Sequence, residues 1–162
     1  MTVFEPRPAL RALVDAGVRF VLIGGLAART HGSPSITNDL DVCYDRAPDN
    51  LERLATALTG MHARLRGLDE DVPFLLDART LRNGDSFTFD TDYGPLDVLA
   101  TPSGTSGYDD LVAGAETVDV GGVEIALVAL DDLIRMKRAA ARPKDRVEVE
   151  ILVRLRDAIA DR

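Results

Sequence analysis

The sequence predicts an α/β (α+β) fold, a mixed sheet of about five to six strands with helices packed on it. Three observations point there. Arg19–Ile23 is a nearly all-apolar run between Gly17 and Gly24-Gly25, the pattern of a strand covered on both faces. Two later stretches alternate around short turns and read as hairpins. Apolar residues recur at helical spacing before, between and after these runs. The resulting order is helix, strand, short helix, strand, helix, hairpin, hairpin and two helices. It has too few crossovers for a large doubly wound sheet.

Each element has a local reason. Pro8–Ala16 opens with a proline suited to a first helical turn and places Leu10, Leu13 and Val14 on one face, with Gly17 closing it. Leu26–His31 is a short helix broken by Gly32-Ser33-Pro34-Ser35. Leu40–Tyr44 is a second core strand. Pro48–Leu58 turns Leu51, Leu54, Ala55 and Leu58 inward, and Gly60 ends it. Between His62 and Gly84 the pattern is weak. Arg64-Leu65-Arg66 suits a short strand, Asp69-Glu70-Asp71 with Pro73 a loop, and Phe74–Leu76 a cover over the core. Ser86–Asp90 and Leu96–Ala100 form the first hairpin around Thr91–Gly94. Tyr108–Ala113 is a helical turn. Glu116–Val120 and Val123–Val128 form the second hairpin, with Gly121-Gly122 as its two-residue turn. Leu130–Ala141 is a helix whose opening Asp131-Asp132 suits the positive end of its dipole. The last helix runs from Pro143 to about Ala160.

Composition narrows the class. A chain of 162 residues with 46% hydrophobic content suits one core, and the reading is a single domain over 1–162 with a helical C-terminal part from about 130. The net charge of −8 argues against attraction of nucleic acid over the whole surface. The charge is uneven, however. Residues 131–162 carry nine Lys/Arg against seven Asp/Glu, net +2, which leaves −10 on the rest. Cys43 is the only cysteine, so no internal disulfide or Cys-based metal site is expected, and it reads as a small buried hydrophobe. No apolar run approaches a membrane span, and Met1–Pro6 lacks the layout of a signal peptide. The expectation is a cytoplasmic protein with no membrane partner.

The candidate chemistry centres on Val21–Val42. Asp39 and Asp41 stand at i and i+2, which in a strand puts both carboxylates on one face. Carboxylates held side by side repel unless a cation lies between them, and oxygen-only ligands favour Mg²⁺ over Zn²⁺. Gly24 and Gly25 end the preceding strand where a helix begins, so bare backbone N–H groups there can hold phosphate. Asp97 stands in Gly94-Pro95-Leu96-Asp97-Val98-Leu99, an unusual place for an acid because a buried unpaired carboxylate is costly. If its strand pairs beside Leu40–Tyr44, the three acids meet at one ion site. Two metals there, one on the triphosphate and one on the attacking hydroxyl, would suit phosphoryl or nucleotidyl transfer.

Gly24-Gly25, thirteen residues, Asp39-x-Asp41 and a lone acid on a later strand resemble the nucleotidyltransferase fold of the polymerase-β type. His31-Gly32-Ser33-Pro34 … Thr37–Asp41, with Leu133–Ala140 and Arg142-Pro143-Lys144-Asp145, is similar to the AbiEii/MenT group of bacterial toxin nucleotidyltransferases and their small uncharacterised kin. The resemblance spans roughly residues 18–46, 86–100 and 127–155. It implies that Gly24 and Gly25 cradle a triphosphate, that Asp39, Asp41 and Asp97 bind Mg²⁺, and that Lys137 contacts the β- and γ-phosphates with Asp145 orienting it or neighbouring basic groups. Many relatives carry a basic residue near position 35, where this chain has Ser35. An NMP would pass from an NTP to an acceptor hydroxyl. By the resemblance that acceptor is tRNA, with a cognate antitoxin as partner. A small aminoglycoside-type molecule, a protein side chain, or a catalytically silent binding module are the alternatives.

Blander readings stand beside these. Gly-Gly after a strand is often only a turn, and Asp-x-Asp a solvated strand end. Lys137 lines up with Leu133, Ile134, Ala140 and Ala141, an apolar stripe that tilts it toward a cleft. Arg138 lines up with Arg135 and Arg142 and reads as solvated surface. His31, at a helix end, reads as a cap or packing residue, and His62 has no assigned role.

Overall fold

The computed structural model describes residues 4–69 and 72–161. Of the acidic loop expected at Asp69–Asp71, Glu70 and Asp71 lie outside the described residues, as do Met1–Val3 of the N-terminal stretch. The chain runs α1 (Arg7–Asp15), β1 (Phe20–Ile23), α2 (Gly24–His31), β2 (Leu40–Tyr44), α3 (Pro48–Gly60), β3 (Arg64–Leu65) and α4 (Ala78–Asn83). It continues β4 (Ser86–Thr91), β5 (Gly94–Leu99), α5 (Tyr108–Gly114), β6 (Glu116–Val120), β7 (Val123–Leu127), α6 (Leu130–Ala140) and α7 (Pro143–Ala160).

Among the described residues, all the strands join one mixed sheet of seven, in the order β3-β4-β5-β2-β1-β7-β6. The two hairpins flank the central pair. β1 runs antiparallel to β2 and parallel to β7, and β2 runs parallel to β5. The strand count exceeds the expected five to six because β3, only two residues long, still bridges β4 at the sheet edge. Apart from Asp41, the two central strands β1 and β2 are buried, as in a sheet covered on both faces: Phe20–Ile23, Leu40 and Val42–Tyr44 are all in the core. Leu10 and Leu13 of α1, Leu51, Leu54 and Leu58 of α3, and Leu133 and Ile134 of α6 supply the covering layer.

Three local differences from the sequence reading have physical causes. Helix α2 starts at Gly24 itself, not Leu26, because the positive φ of Gly24 (+74°) turns the chain directly out of the strand. Gly60 lies within the last turn of α3, and Met61 follows as its cap. Helix α4 was not expected. It has six residues and one buried apolar side chain, Leu81, too few for a periodic signal, and it is fixed by Asp77 accepting from the Thr80 N–H at 2.8 Å. Phe74 and Leu76 do pack against the core, Phe74 beside Phe89, while Leu75 points outward.

One feature of β4 and β5 positions the site. Phe89, Leu96 and Val98 face the core, so Ser86, Thr88, Asp97 and Leu99 fall on the opposite face, toward the cleft described below. Among the described residues no helix is long and apolar enough to cross a membrane.

Candidate active site

The sheet register brings the acids together. Asp41 lies between Ile23 of β1 and Asp97 of β5, its Cα partner in the parallel pair, and Asp39 sits immediately before β2. The two glycines are required by what surrounds them. A Cβ on Gly24 would fall 2.2 Å from Asp41 Oδ2, and one on Gly25 would fall 2.8 Å from Thr37 Cβ and Oγ1. Gly24 therefore lets the Asp41 carboxylate lie against the start of α2. Gly25 admits Thr37, whose hydroxyl donates to the Asp39 carbonyl at 3.2 Å and shapes the approach to β2.

Gly24, Gly25, Asp39, Asp41, Asp97, Lys137 and Asp145, the full set expected from sequence, line one open cleft of about 660 Å³. Lys137 of α6 reaches it as the apolar stripe suggested. Its Nζ stands 3.6 Å from Asp145 Oδ1, and its side chain is 19% exposed. Asp145 is buried and is the hub of the α6–α7 corner. It accepts from the Arg142 backbone N–H at 3.1 Å and from Arg142 Nε at 2.8 Å, capping α7. The Arg142 hydrogen bonds, with the Lys137 charge, hold its carboxyl below the usual carboxylate range against the cost of burial.

Asp41 is perturbed in the other direction. Burial pushes its carboxyl up to about 7, helped by the charge of Asp97, a hydrogen bond with that residue, and the charge of Asp39, while Lys137 opposes the rise. Among the described residues no three His, Cys, Asp or Glu side chains are gathered tightly enough to cage a metal ion. The donor set nevertheless fits a hard divalent cation. It is oxygen-only, and Asp41 and Asp97 stand side by side on neighbouring strands, a juxtaposition of carboxylates that a cation would relieve.

Several residues in or beside the cleft escaped the sequence reading. Arg66 Nη2 donates to Asp97 Oδ1 at 3.2 Å. It lies in the stretch with no clear pattern, and no local signal marks it. Glu148 receives hydrogen bonds from Ser35 Oγ at 2.6 Å and Ser33 Oγ at 3.2 Å, tying α7 to the loop before the acids. Its position three residues after Asp145, on the same helix face, was a usable signal. Arg142 lines the cleft, and Arg135 bridges Asp110 and Asp132 at 3.0 Å each, so of the row read as solvated only Arg138 is simply exposed. His31 Nε2 lies 2.7 Å from the Val128 carbonyl, a packing role as expected. His62 is exposed and paired with Asp92, away from the cleft. Cys43 is buried, and burial pushes its thiol up to about 12, so it is inert.

No protein-family model matches the chain, and no curated protein matches it. Solved structures do. The lincomycin-bound crystal structure of the lincosamide antibiotic adenylyltransferase LnuA aligns at TM-score 0.62 and 13% identity, over 96% of this chain and 98% of that one. TM1012 from Thermotoga maritima, provisionally assigned as a nucleotidyltransferase, aligns at TM-score 0.53 and 16% identity, over 96% and 91%. The solution structure of the antibiotic-resistance factor ANT(2'')-Ia aligns at TM-score 0.52 and 12% identity, over 95% and 90%. At these identities the likeness reaches the fold and does not extend to membership of the AbiEii/MenT toxin group. The strand order, the glycine turn into α2 and these alignments agree on one architecture: the chain has the nucleotidyltransferase fold.

Proposed function

We propose that this protein is a divalent-metal-dependent nucleotidyltransferase that moves a nucleoside monophosphate from a nucleoside triphosphate to an acceptor hydroxyl. One observation carries the reading. The paired Asp41 and Asp97 adjoin Gly24 at the start of α2 and share a cleft with Lys137. A cation-demanding acid cluster thus lies beside an anion cradle, the combination a metal–triphosphate complex needs.

The roles follow from position. Backbone N–H groups at Gly24 and Gly25 receive phosphate oxygens, and Lys137, steadied by Asp145, faces the β- and γ-phosphates. Asp39 and Asp41 are the residues that would hold Mg²⁺, and Asp97 would bind a second ion or accept the proton of the attacking hydroxyl. The chemistry supplied by Mg²⁺ when bound is neutralisation of the charge on the α-phosphate and the departing group. The acceptor oxygen attacks the α-phosphorus, the bond to the bridging α–β oxygen breaks, and pyrophosphate leaves. In the second of its two roles Asp97 would take the hydroxyl proton.

The acceptor implied by the toxin resemblance is tRNA, with a cognate antitoxin as a further partner. A second reading, a small hydroxylated cationic molecule, is favoured by the lining of the cleft beyond Asp97. Ser86 and Thr88 offer hydroxyls there beside the carboxylates, and the basic side chains Arg142 and Lys144 belong to the α6–α7 corner. Both readings are tested together by incubating the protein with Mg²⁺, each α-labelled NTP, and tRNA, an antibiotic panel or soluble protein. Label on RNA supports the toxin reading, and label on a small molecule supports the second. Absence of label with every acceptor, alongside NTP-dependent thermal stabilisation, would leave only a nucleotide-binding module.

A further inference from the structure

We propose that Glu148 is a positioning residue for the metal seat, holding the loop between α2 and β2 so that Asp39 stays in place beside Asp41. This rests on the nucleotidyltransferase reading. The strand register sets Asp41 opposite Asp97, but it does not place Asp39. Asp39 lies one residue before β2 and has no partner in the sheet, so its position depends on the loop that carries it. Two anchors hold that loop. Thr37 rests against Gly25, and its Oγ1 lies 3.2 Å from the Asp39 carbonyl oxygen and 3.4 Å from the Asp39 nitrogen. The second anchor is Glu148 of α7, 113 residues along the chain from Ser35. Its Oε2 accepts from Ser35 Oγ at 2.6 Å, and its Oε1 lies 3.2 Å from Ser33 Oγ. Ser33 is buried, and its hydroxyl also receives the Ser35 backbone N–H at 3.3 Å. Among the described residues, every side-chain hydrogen bond from residues 33–38 to another element ends on Glu148.

Charge alone does not account for Glu148. It lines the same cleft as Lys137, Arg142, Lys144 and Asp145, where a triphosphate would be bound. A carboxylate in that wall repels phosphate, so its place there calls for another role. The serines supply one, because a carboxylate can accept on both oxygens at once and so tie two loop residues to a single helix position. Helix α7 then carries two anchors on successive turns. Asp145 pairs with Lys137 of α6, and Glu148 holds the loop that leads to Asp39. Without Glu148 the loop keeps only its Thr37 anchor. A ligand that must first be ordered binds its cation less tightly, since ordering then takes up part of the binding free energy.

The test reads metal affinity rather than turnover, by equilibrium dialysis at pH 8 against Mn²⁺ with a non-hydrolysable triphosphate analogue. Glu148→Ala should bind Mn²⁺ about ten-fold more weakly than the native protein. Ser35→Ala, which leaves Glu148 in place, should weaken it several-fold. The double variant should be no weaker than Glu148→Ala alone, because both changes remove one contact. Glu148→Gln should stay within about two-fold of native, since its amide oxygen still accepts from Ser35 and its amide nitrogen can donate to Ser33. Ser35→Ala and Glu148→Gln carry the test if Glu148→Ala does not fold. Native affinity in Ser35→Ala, losses that add in the double variant, or a loss in Glu148→Gln as large as in Glu148→Ala overturns the proposal and leaves the nucleotidyltransferase reading standing. No Mn²⁺ bound by the native protein overturns both.

Discussion

Two acids in one cleft respond oppositely to pH. Asp41, raised to about 7, keeps a proton in the folded metal-free protein that the unfolded chain releases, so its contribution to stability falls as pH rises from about 4 to about 7. Asp145, held low by Arg142, contributes stability at neutral pH that is lost as pH drops through the acid range. Urea melts in EDTA should therefore show Asp41→Asn gaining on the native protein by on the order of 2–4 kcal/mol at pH 8, with little gain at pH 4. Mg²⁺ should stabilise the native protein at pH 8 but hardly at pH 5, because protons then compete for Asp41. The same variant should lose more than about 100-fold in transfer activity, measured as pyrophosphate release. Gly24→Ala tests the neighbouring turn. The added methyl meets Asp41 Oδ2 at a φ of +74°, and a loss of about 2 kcal/mol or more, with weakened triphosphate binding, is expected in melts and calorimetry. Gly24, Gly25, Asp39 and Asp41 were legible as a group because a glycine turn and an i, i+2 acid pair are local patterns. Arg66 was not, because nothing near it in the chain reports that Asp97 lies across the sheet.

At the scale of elements, the α6–α7 corner is held by one buried carboxylate. Asp145 caps α7 through Arg142 and pairs with Lys137 of α6. Asp145→Ala should cost about 2 kcal/mol in a urea melt through the lost cap and the unpaired Lys137. Triphosphate affinity should fall at the same time, read by calorimetry, since Lys137 loses its tether. Asp145→Asn, which can still accept from the Arg142 backbone, should recover part of the stability and less of the affinity. The helices were readable where a face carries several apolar residues, as in α3 with Leu51, Leu54 and Leu58. Helix α4 shows the limit. Six residues around Leu81 make less than two turns, and a side-chain cap at Asp77 rather than periodicity determines them.

For the whole molecule, the charge of −8 and its division, −10 before residue 131 and +2 after, set the expectation for acceptors. If a small cation is the acceptor, its KM should rise several-fold as salt goes from about 50 to about 300 mM, because screening shortens the reach of the acidic surface. A tRNA acceptor should weaken through loss of phosphate contacts instead, with a steep log–log salt slope. Steady-state kinetics across salt distinguishes the slopes. The sequence by itself determined the order of the longer elements, their core faces and the list of polar residues proposed to hold phosphate and metal. These rest on periodicity, turn chemistry and short spacings, which act within a few residues. Only the tertiary structure decided that Asp97 pairs with Asp41, that Lys137 and Asp145 reach the same cleft, and that an arginine from an unpatterned stretch guards the third acid. Those pairings join residues far apart in the chain, 31 residues for Arg66 and Asp97, and are made by sheet register and helix packing, to which local spacing is blind.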